Sequence, residues 1–309
     1  MAGAVRLATR GSPQARTQAE GVAAALRAVG VGAELVFVET TGDRRQDVPL
    51  HVIGGQGVFV KEVQRAVLDG RADAAVHSAK DLPSLEHPEL VIAALMARRD
   101  AADVLVGRAL AHLAPGATVA TGSVRRRAQL ATVRPDLRFV ELRGNIARRL
   151  AQVPDDGSIV MAAAALEILG LTDRVAERLD PTRFVPAVGQ GCVAIEASRG
   201  NDELAALLAT VDDPATRRAV EIERAFLAEL GAGCSLPVGG HVVADGLHVF
   251  LAASDEVPAG GAVRAVTDVV VLDEGDDNDG TDNLARARSA ARQALEAVGA
   301  GCGPGGLGG

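Results

Sequence analysis

Cys234 stands in the run Gly231-Ala232-Gly233-Cys234-Ser235-Leu236-Pro237, where no aromatic or charged side chain crowds the sulfur. A thiol on a glycine-rich turn can serve as a nucleophile or an attachment point, because glycine permits positive φ and lets a bulky group approach the backbone. Cys192 and Cys302 lie far from it and share no metal-ligand spacing with it, so neither a disulfide framework nor a metal site is expected. A second grouping is His77-Ser78-Ala79-Lys80-Asp81-Leu82-Pro83, which sets a cation beside a carboxylate directly after the apolar run Ala74-Ala75-Val76. A third is basic: positions 125, 126, 127, 134, 138, 143, 148 and 149 are arginine, against Asp136 and Glu141 alone among the acids of that stretch. The planar guanidinium fork grips carboxylate or phosphate in bidentate fashion, so these residues suit a ligand with several anionic groups.

The elements that must position them follow from pattern. Val5 to Ala8 alternates as a strand, Ser12-Pro13 supplies an N-cap with proline at the first helical position, and Ala15, Ala19, Val22, Leu26 and Val29 form one apolar stripe closed by Gly30. Leu35 to Thr40 reads as a second strand, Phe59 to Leu68 as a second helix ended by Gly70, and Ala74 to Ser78 as a third strand. Strands alternating with helices predict βαβ units and a parallel sheet. The pattern restarts after Asp100: Thr118 to Ala120 leads through Thr121-Gly122-Ser123 into a helix near Val124, and Phe139 to Leu142 leads through Arg143-Gly144-Asn145 into another. Leu7-Ala8-Thr9-Arg10-Gly11-Ser12 and Val119-Ala120-Thr121-Gly122-Ser123 match locally, a short repeat that predicts two similar lobes. A helix N-terminus after a strand is a ready anion site, and two lobes facing each other enclose a cleft beyond their strand ends. Arg10, Arg125, Arg126, Arg143 and Arg149 all fall there.

Residues 42–57 read as a glycine-containing lid, Glu221 to Leu230 as a helix, and residues 241–272 as alternating strands, which predicts a smaller α+β third domain carrying Cys234 on its first loop. The expected division is residues 1–97 with 192–212, residues 98–191, residues 213–298, and a disordered tail over 299–309. Composition limits the function classes. The 309 residues are 48% hydrophobic and 23% charged, a globular balance. Six phenylalanines with no tryptophan or tyrosine leave no stacking platform for single-stranded nucleic acid, and the net charge of −8 repels polyanions. No apolar run approaches the roughly twenty residues of a membrane span, and no signal segment is evident, so a cytoplasmic protein that binds neither membrane nor nucleic acid is expected.

Six motifs in order are Gly54-Gly55-Gln56-Gly57-Val58-Phe59-Val60-Lys61-Glu62, the His77 to Pro83 run, Thr121-Gly122-Ser123-Val124-Arg125-Arg126-Arg127, Leu142-Arg143-Gly144-Asn145, Pro186-Ala187-Val188-Gly189-Gln190-Gly191, and Gly233-Cys234-Ser235-Leu236-Pro237. Together they closely resemble the hydroxymethylbilane synthase (porphobilinogen deaminase) family, over about Val5 to Leu251. The resemblance implies two periplasmic-binding-protein-like α/β lobes plus a cofactor-bearing α+β domain, in a monomer. It also implies a transferase that joins four porphobilinogen molecules head to tail, releasing ammonia, on a dipyrromethane cofactor held as a thioether. By the same resemblance Cys234 is the attachment point and Asp81 the catalytic carboxylate. Lys80, Asp81, Ser123, Arg125, Arg126, Gly144 and Arg149 would hold the cofactor, and Arg10, Ser12, Phe59, Arg143, Arg149 and Gln190 the substrate. Hinges are expected near Met96 to Ala102 and Val185 to Val193. Departures from the family pattern are Val52, Gln56, Gly122 and Glu167-Ile168. Two competing expectations are a non-catalytic two-lobed protein for a small polyanion and an RNA-binding module built on the 125–149 cluster.

Overall fold

The computed structural model describes residues 4–40, 57, 59–231, 236–254, 263–273 and 281–299. The chain opens with β1 (Val5–Arg10), α1 (Pro13–Ala28), β2 (Ala33–Val38), α2 (Lys61–Leu68), β3 (Ala74–Ser78) and β4 (Leu90–Leu95). It crosses into β5 (Asp103–Val106), β6 (Thr118–Ala120), α3 (Val124–Val133), β7 (Arg138–Val140), α4 (Ile146–Leu150), β8 (Ser158–Ala162), α5 (Ala163–Ile168) and β9 (Glu177–Arg178). It then returns through β10 (Val193–Ser198) and α6 (Asp202–Leu208), and ends in α7 (Pro214–Glu229), β11 (Val238–Val243), β12 (Gly246–Ala252), β13 (Ala265–Val270) and α8 (Thr281–Val298).

Polar caps fix where the helices begin. Ser12 Oγ accepts from the Ala15 N–H with Pro13 at the first helical position, Ser123 Oγ from Arg126 N, Asn145 Oδ1 from Arg148 N, and Asp213 Oδ1 from Thr216 N with Pro214 following. This last cap starts α7 seven residues before the expected Glu221. On α1, Ala19, Val22 and Leu26 of the expected stripe are buried, joined by Ala23, whereas Val29, the C-cap residue, is exposed; Gly30 leaves the helix at φ +83°.

The first sheet has the order β2-β1-β3-β10-β4 and the second β7-β6-β8-β5-β9. In each, three strands run parallel and the fourth runs antiparallel to both neighbours. The sheets are therefore mixed, not parallel throughout as expected. The antiparallel member is in each case the strand that arrives from the other lobe: β5 enters the second sheet from the first lobe, and β10 enters the first sheet from the second. The local repeat in the sequence thus reflects a shared sheet order. The third sheet is an antiparallel meander β11-β12-β13, packed on α7 and α8 around Phe226, Leu247, Val249, Leu251 and Ala291. Residues 42–56 of the expected lid, residues 232–235 with Cys234, residues 274–280, and the tail beyond Gly299 lie outside the described residues.

The two crossings run side by side as a ribbon: Met96 N donates to Val193 O and Arg99 N to Gly191 O, both at 3.0 Å. Glu223, on α7 and fully buried, joins this ribbon to the third domain. Its carboxylate takes both Arg98 terminal nitrogens at 2.7 Å, the Gly189 N–H at 2.8 Å, the Val242 N–H at 2.9 Å, and lies 3.3 Å from His241 Nδ1. Burial alone would raise the Glu223 pKa, but Arg98 and His241 outweigh it and hold the group at about 2. The sign follows from a depressed pKa: the stability that ionised Glu223 contributes is full above its ordinary 4.5 and is lost as pH falls from there toward about 2. Replacing Arg98 by methionine leaves that carboxylate buried without its guanidinium, which costs about 3–5 kcal/mol in urea unfolding at neutral pH. A variant within experimental error of the parent would show that the ribbon is held by other contacts.

Candidate active site

The strand ends of the two lobes converge on one cleft. At the end of β1, the Arg10 guanidinium lies over the Phe59 ring, 3.9 Å from its centroid, and Ser12 caps α1 one turn on. At the end of β3, the chain tightens into a 3-10 turn over Ala79–Asp81, pinned where Ala79 N donates to Cys192 O of the return crossing. Gly189 makes this close approach possible. It sits at φ +70°, and a Cβ there would stand 3.0 Å from Ala79 Cβ and 3.3 Å from Lys80 N. From the second lobe come Ser123 at the start of α3, then Arg143, Gly144 at φ +102°, and Arg149, whose Nε donates to Gly144 O at 2.8 Å.

The charges do not pair off. Lys80 Nζ hydrogen-bonds only Gln190 Oε1, at 3.3 Å, and burial, aided by the nearby Arg126, lowers its pKa to about 8 against the pull of Asp81 and Asp103. Arg149 is likewise desolvated and crowded by Arg126, Arg143 and Arg10, which lowers it to about 10. Arg143 Nη1 is buried with no hydrogen-bond partner among the described residues. Asp81 has no hydrogen bond or ion pair among the described residues, though it lies in the fields of Lys80 and Arg149. Lys80, Arg10, Arg125, Arg126, Arg143 and Arg149 thus share a neighbourhood in which the described residues acting on Lys80 and Arg149 include two carboxylates, Asp81 and Asp103. Such an excess of cations in a partly dry cleft is unfavourable alone and calls for an anionic ligand.

Two residues expected to meet the ligand are engaged within the protein. Gln190 was expected to touch substrate, yet it is buried and its carboxamide is fully used: Nε2 donates to Ala101 O at 2.6 Å and to Asp103 Oδ1 at 2.8 Å, while Oε1 accepts from Lys80. Arg125 was expected to grip the cofactor, but it is 4% exposed, with Nη1 on Val185 O and Nη2 on Asp103 Oδ2. Arg126 is paired as well, through Nε and Nη2 to Asp103 Oδ1 at 3.0 and 2.7 Å. The residue that binds both, Asp103, was missed. Its signal was a lone acid heading the apolar run Val104-Leu105-Val106.

The basic stretch does not form one surface. Beyond the two buried arginines, Arg134 pairs with Asp136 at 2.7 Å, Arg127 with Glu141 at 3.6 Å and Arg138 with Asp156 at 3.5 Å, which removes the footing of an RNA-binding face. Gly122 has a local reason too, since a Cβ there would meet Leu142 O at 2.8 Å and Glu141 Oε1 at 2.9 Å. Ile168 lines the crevice between the lobes, opposite Gln14 and Gln18 of α1, where Gln18 and Ser78 hydrogen-bond at 3.0 Å.

Fold and cleft together define a two-lobed α/β protein whose cleft gathers, among the described residues, an excess of cations suited to an anionic ligand. The chain belongs to the porphobilinogen deaminase family: the model of the family's dipyrromethane cofactor binding domain matches residues 5–206, and that of its C-terminal domain residues 217–254. The porphobilinogen deaminase of Acidothermus cellulolyticus is 50% identical over 256 residues, covering 79% of this chain and 77% of the relative. That of Stenotrophomonas maltophilia is 47% identical over 241 residues, covering 76% and 80%. Among solved structures, a periplasmic substrate-binding protein of an ABC transporter from Coxiella burnetii aligns over 69% of this chain and 94% of its own, with 16% identity and a TM-score of 0.42. The protein is thus a transferase of tetrapyrrole biosynthesis that works with a dipyrromethane cofactor. The cleft fits that group: a dipyrromethane carries an acetate and a propionate on each ring, and the excess of cations, with Arg143 Nη1 and Lys80 short of partners, matches such a load.

The low pKa of Lys80 gives a test. Lys80 is charged below about 8, so affinity for a non-reactive dicarboxylate such as succinate, measured by calorimetry on the apoprotein, falls as pH rises through that value. In Lys80→Arg the affinity stays level across the same range. An unchanged limb would show that Lys80 is not in contact with the anion.

Proposed function

We propose that Asp81 is the catalytic carboxylate and that the cleft cations divide into a gripping set and a supporting set. Arg10, Lys80, Arg143 and Arg149, with the α1 and α3 starts at Ser12 and Ser123 and the Gly144 turn, grip acetate and propionate groups. Arg125 and Arg126 act from behind as fixed positive charge. A bound dipyrromethane supplies the nucleophilic ring carbon to which each porphobilinogen unit is added. The observation that carries this reading is that Asp81 has no internal ion pair although Lys80 and Arg149 both act on it. A carboxylate so placed is available for charge that develops only during reaction, at the cation left when porphobilinogen loses ammonia and at the pyrrole N–H made acidic by it. Phe59 packs under Arg10 and keeps that guanidinium directed to the cleft.

Cys234, outside the described residues, is the proposed thioether anchor. A sulfur–carbon link there survives chain growth, while the finished tetrapyrrole is released by hydrolysis. The domain division proposed is residues 1–97 with 192–212, residues 98–191 and residues 213–298; the place of β10 inside the first sheet supports it. The ribbon of crossings is the proposed hinge that lets four units accumulate. A cytoplasmic monomer is the proposed state, consistent with the absence among the described residues of any helix long and apolar enough to cross a membrane.

Intact-mass spectrometry tests the reading. The purified chain is expected to be heavier by two pyrrole units, with the added mass on the peptide containing Cys234, and Cys234→Ser is expected to lack it. Asp81→Asn is expected to keep the added mass while porphobilinogen consumption drops about 10²–10⁴-fold, the range for losing one group that stabilises charge and transfers protons. Near-parental turnover in Asp81→Asn would remove the assigned role.

A further inference from the structure

Asp103 is not in the proposed gripping set, yet the two buried arginines of α3 converge on it. It is 1% exposed and divides its two oxygens: Oδ2 takes Arg125 Nη2 at 2.8 Å, and Oδ1 takes Arg126 Nε and Nη2 together with Gln190 Nε2. Arg126 is further held by Val160 O at 3.1 Å, so its guanidinium has one rotamer in which every contact is met. The Gln190 amide has one orientation for the same reason. Two acceptors, Ala101 O and Asp103 Oδ1, face its nitrogen, which leaves the oxygen for the Lys80 ammonium. Arg125 and Arg126 sit on α3 in the second lobe, Lys80 follows β3 in the first, and Gln190 and Ala101 belong to the two crossings. One carboxylate therefore reaches both lobes and both hinge strands.

The geometry points to Asp103, acting through Gln190, as the positioning residue of the cleft: it holds Arg126 as fixed charge behind the cleft on one lobe and steers Lys80 on the other, so that the place of Lys80 against the ligand carboxylates is set from the crossings. The bonds differ in where they lie. Those of Asp103 to the arginines and to Gln190 fall within the second lobe and the crossings, whereas the 3.3 Å Lys80–Gln190 contact is the one that reaches the first lobe. Opening of the lobes loosens Lys80 first and leaves the arginines seated. Lys80 then follows the lengthening ligand while Arg126 does not, which distinguishes a moving grip from a fixed one.

This inference rests on the proposed reading of the cleft, so the parent protein is measured first. If it acquires no two-ring mass and consumes no porphobilinogen, that reading fails whatever Asp103 does. With the parent active, Asp103→Asn holoenzyme is assayed for kcat, KM and the pH dependence of both, with two-ring mass and circular dichroism as controls for loading and folding. The groups acting on Lys80 are Asp81 beside it, Arg125 and Arg126 on α3, and Asp103 on β5. Removing the Asp103 charge leaves Lys80 facing two arginines with Asp81 alone in support. A folded, loaded Asp103→Asn is expected to lose roughly 100-fold in kcat, more than any change in KM, as misplacement by about 1 Å entails. The alkaline limb of its pH profile is expected to move to lower pH than in the parent. A purely structural role would lower thermal stability and leave kcat per folded molecule and that limb in place, and this result would overturn the proposal. If Asp103→Asn does not fold, Gln190→Met decides. It leaves the Asp103–arginine pairs intact while removing the whole amide relay, from Asp103 and Ala101 through to Lys80, so a kcat loss of about tenfold with the same downward shift of the limb supports the coupling. Parental kcat and an unmoved limb in that variant would overturn it.

Discussion

Six cations held around one cleft repel one another more strongly as water leaves, and the rest of this molecule is organised around making that repulsion tolerable. Burial first and the neighbouring Arg126 second lower the Lys80 pKa to about 8, and burial with Arg126, Arg143 and Arg10 lowers that of Arg149 to about 10. Two features keep the arrangement folded. Asp103, whose pKa the two arginines hold well below the usual carboxylate range despite its burial, compensates the deepest pair. The remaining cations sit in first turns after strands or on short connections, where part of the charge still reaches solvent. A ligand that brings its own carboxylates removes the strain, so binding energy is stored in the ligand-free cleft as mutual repulsion.

The same economy explains the connections between lobes. Two chain crossings that hydrogen-bond to each other form a ribbon that bends as a unit, and both strands leaving it enter the middle of a sheet, not its edge. A hinge seated on central strands transmits motion to whole lobes. Glu223 fixes the ribbon to α7 through Arg98 on one strand and the Gly189 N–H on the other, so the third domain rides on the pivot and belongs to neither lobe alone.

Much of this was legible in the residues. Strand ends followed by Ser-Pro, Gly-Ser or Gly-Asn gave the helix starts at α1, α3 and α4, because an N-cap side chain is a local device that tertiary structure seldom overrides. The strands over 90–95, 103–106 and 158–162 were not separated from their surroundings, since unbroken apolar runs buried on both faces carry no period of two. The arginine cluster was visible, but not which members point inward. That depends on Asp103, distant in sequence from Arg125 and Arg126, and nothing short-range announces the partnership. The burial of Gln190 was hidden for a related reason: a polar residue between glycines looks exposed, and the neighbouring crossing shows that it is enclosed. Pro214 and Asp213 marked the true start of α7, a cap signal passed over in favour of the later acidic residue.

Asp81 is the exception within this charge scheme, and the exception is instructive. Its neighbour Asp103 is saturated by hydrogen bonds from two arginines and an amide, and a carboxylate in that state has little left to offer a reacting centre. Asp81 lies on a 3-10 turn of three residues that no helix or strand continues, and the turn is pinned through Ala79 to the crossing at Cys192. Lys80, beside it, is drawn toward Gln190, and not closed on Asp81 as an ion pair. Had Lys80 and Asp81 paired directly, the resting cleft would be more stable and the carboxylate less able to respond to a cation formed later. Keeping the two apart costs stability at rest and, in the role proposed for Asp81, preserves a preorganised anion for the step that needs it. Gln190 therefore acts on Asp81 without touching it, by holding its natural partner elsewhere.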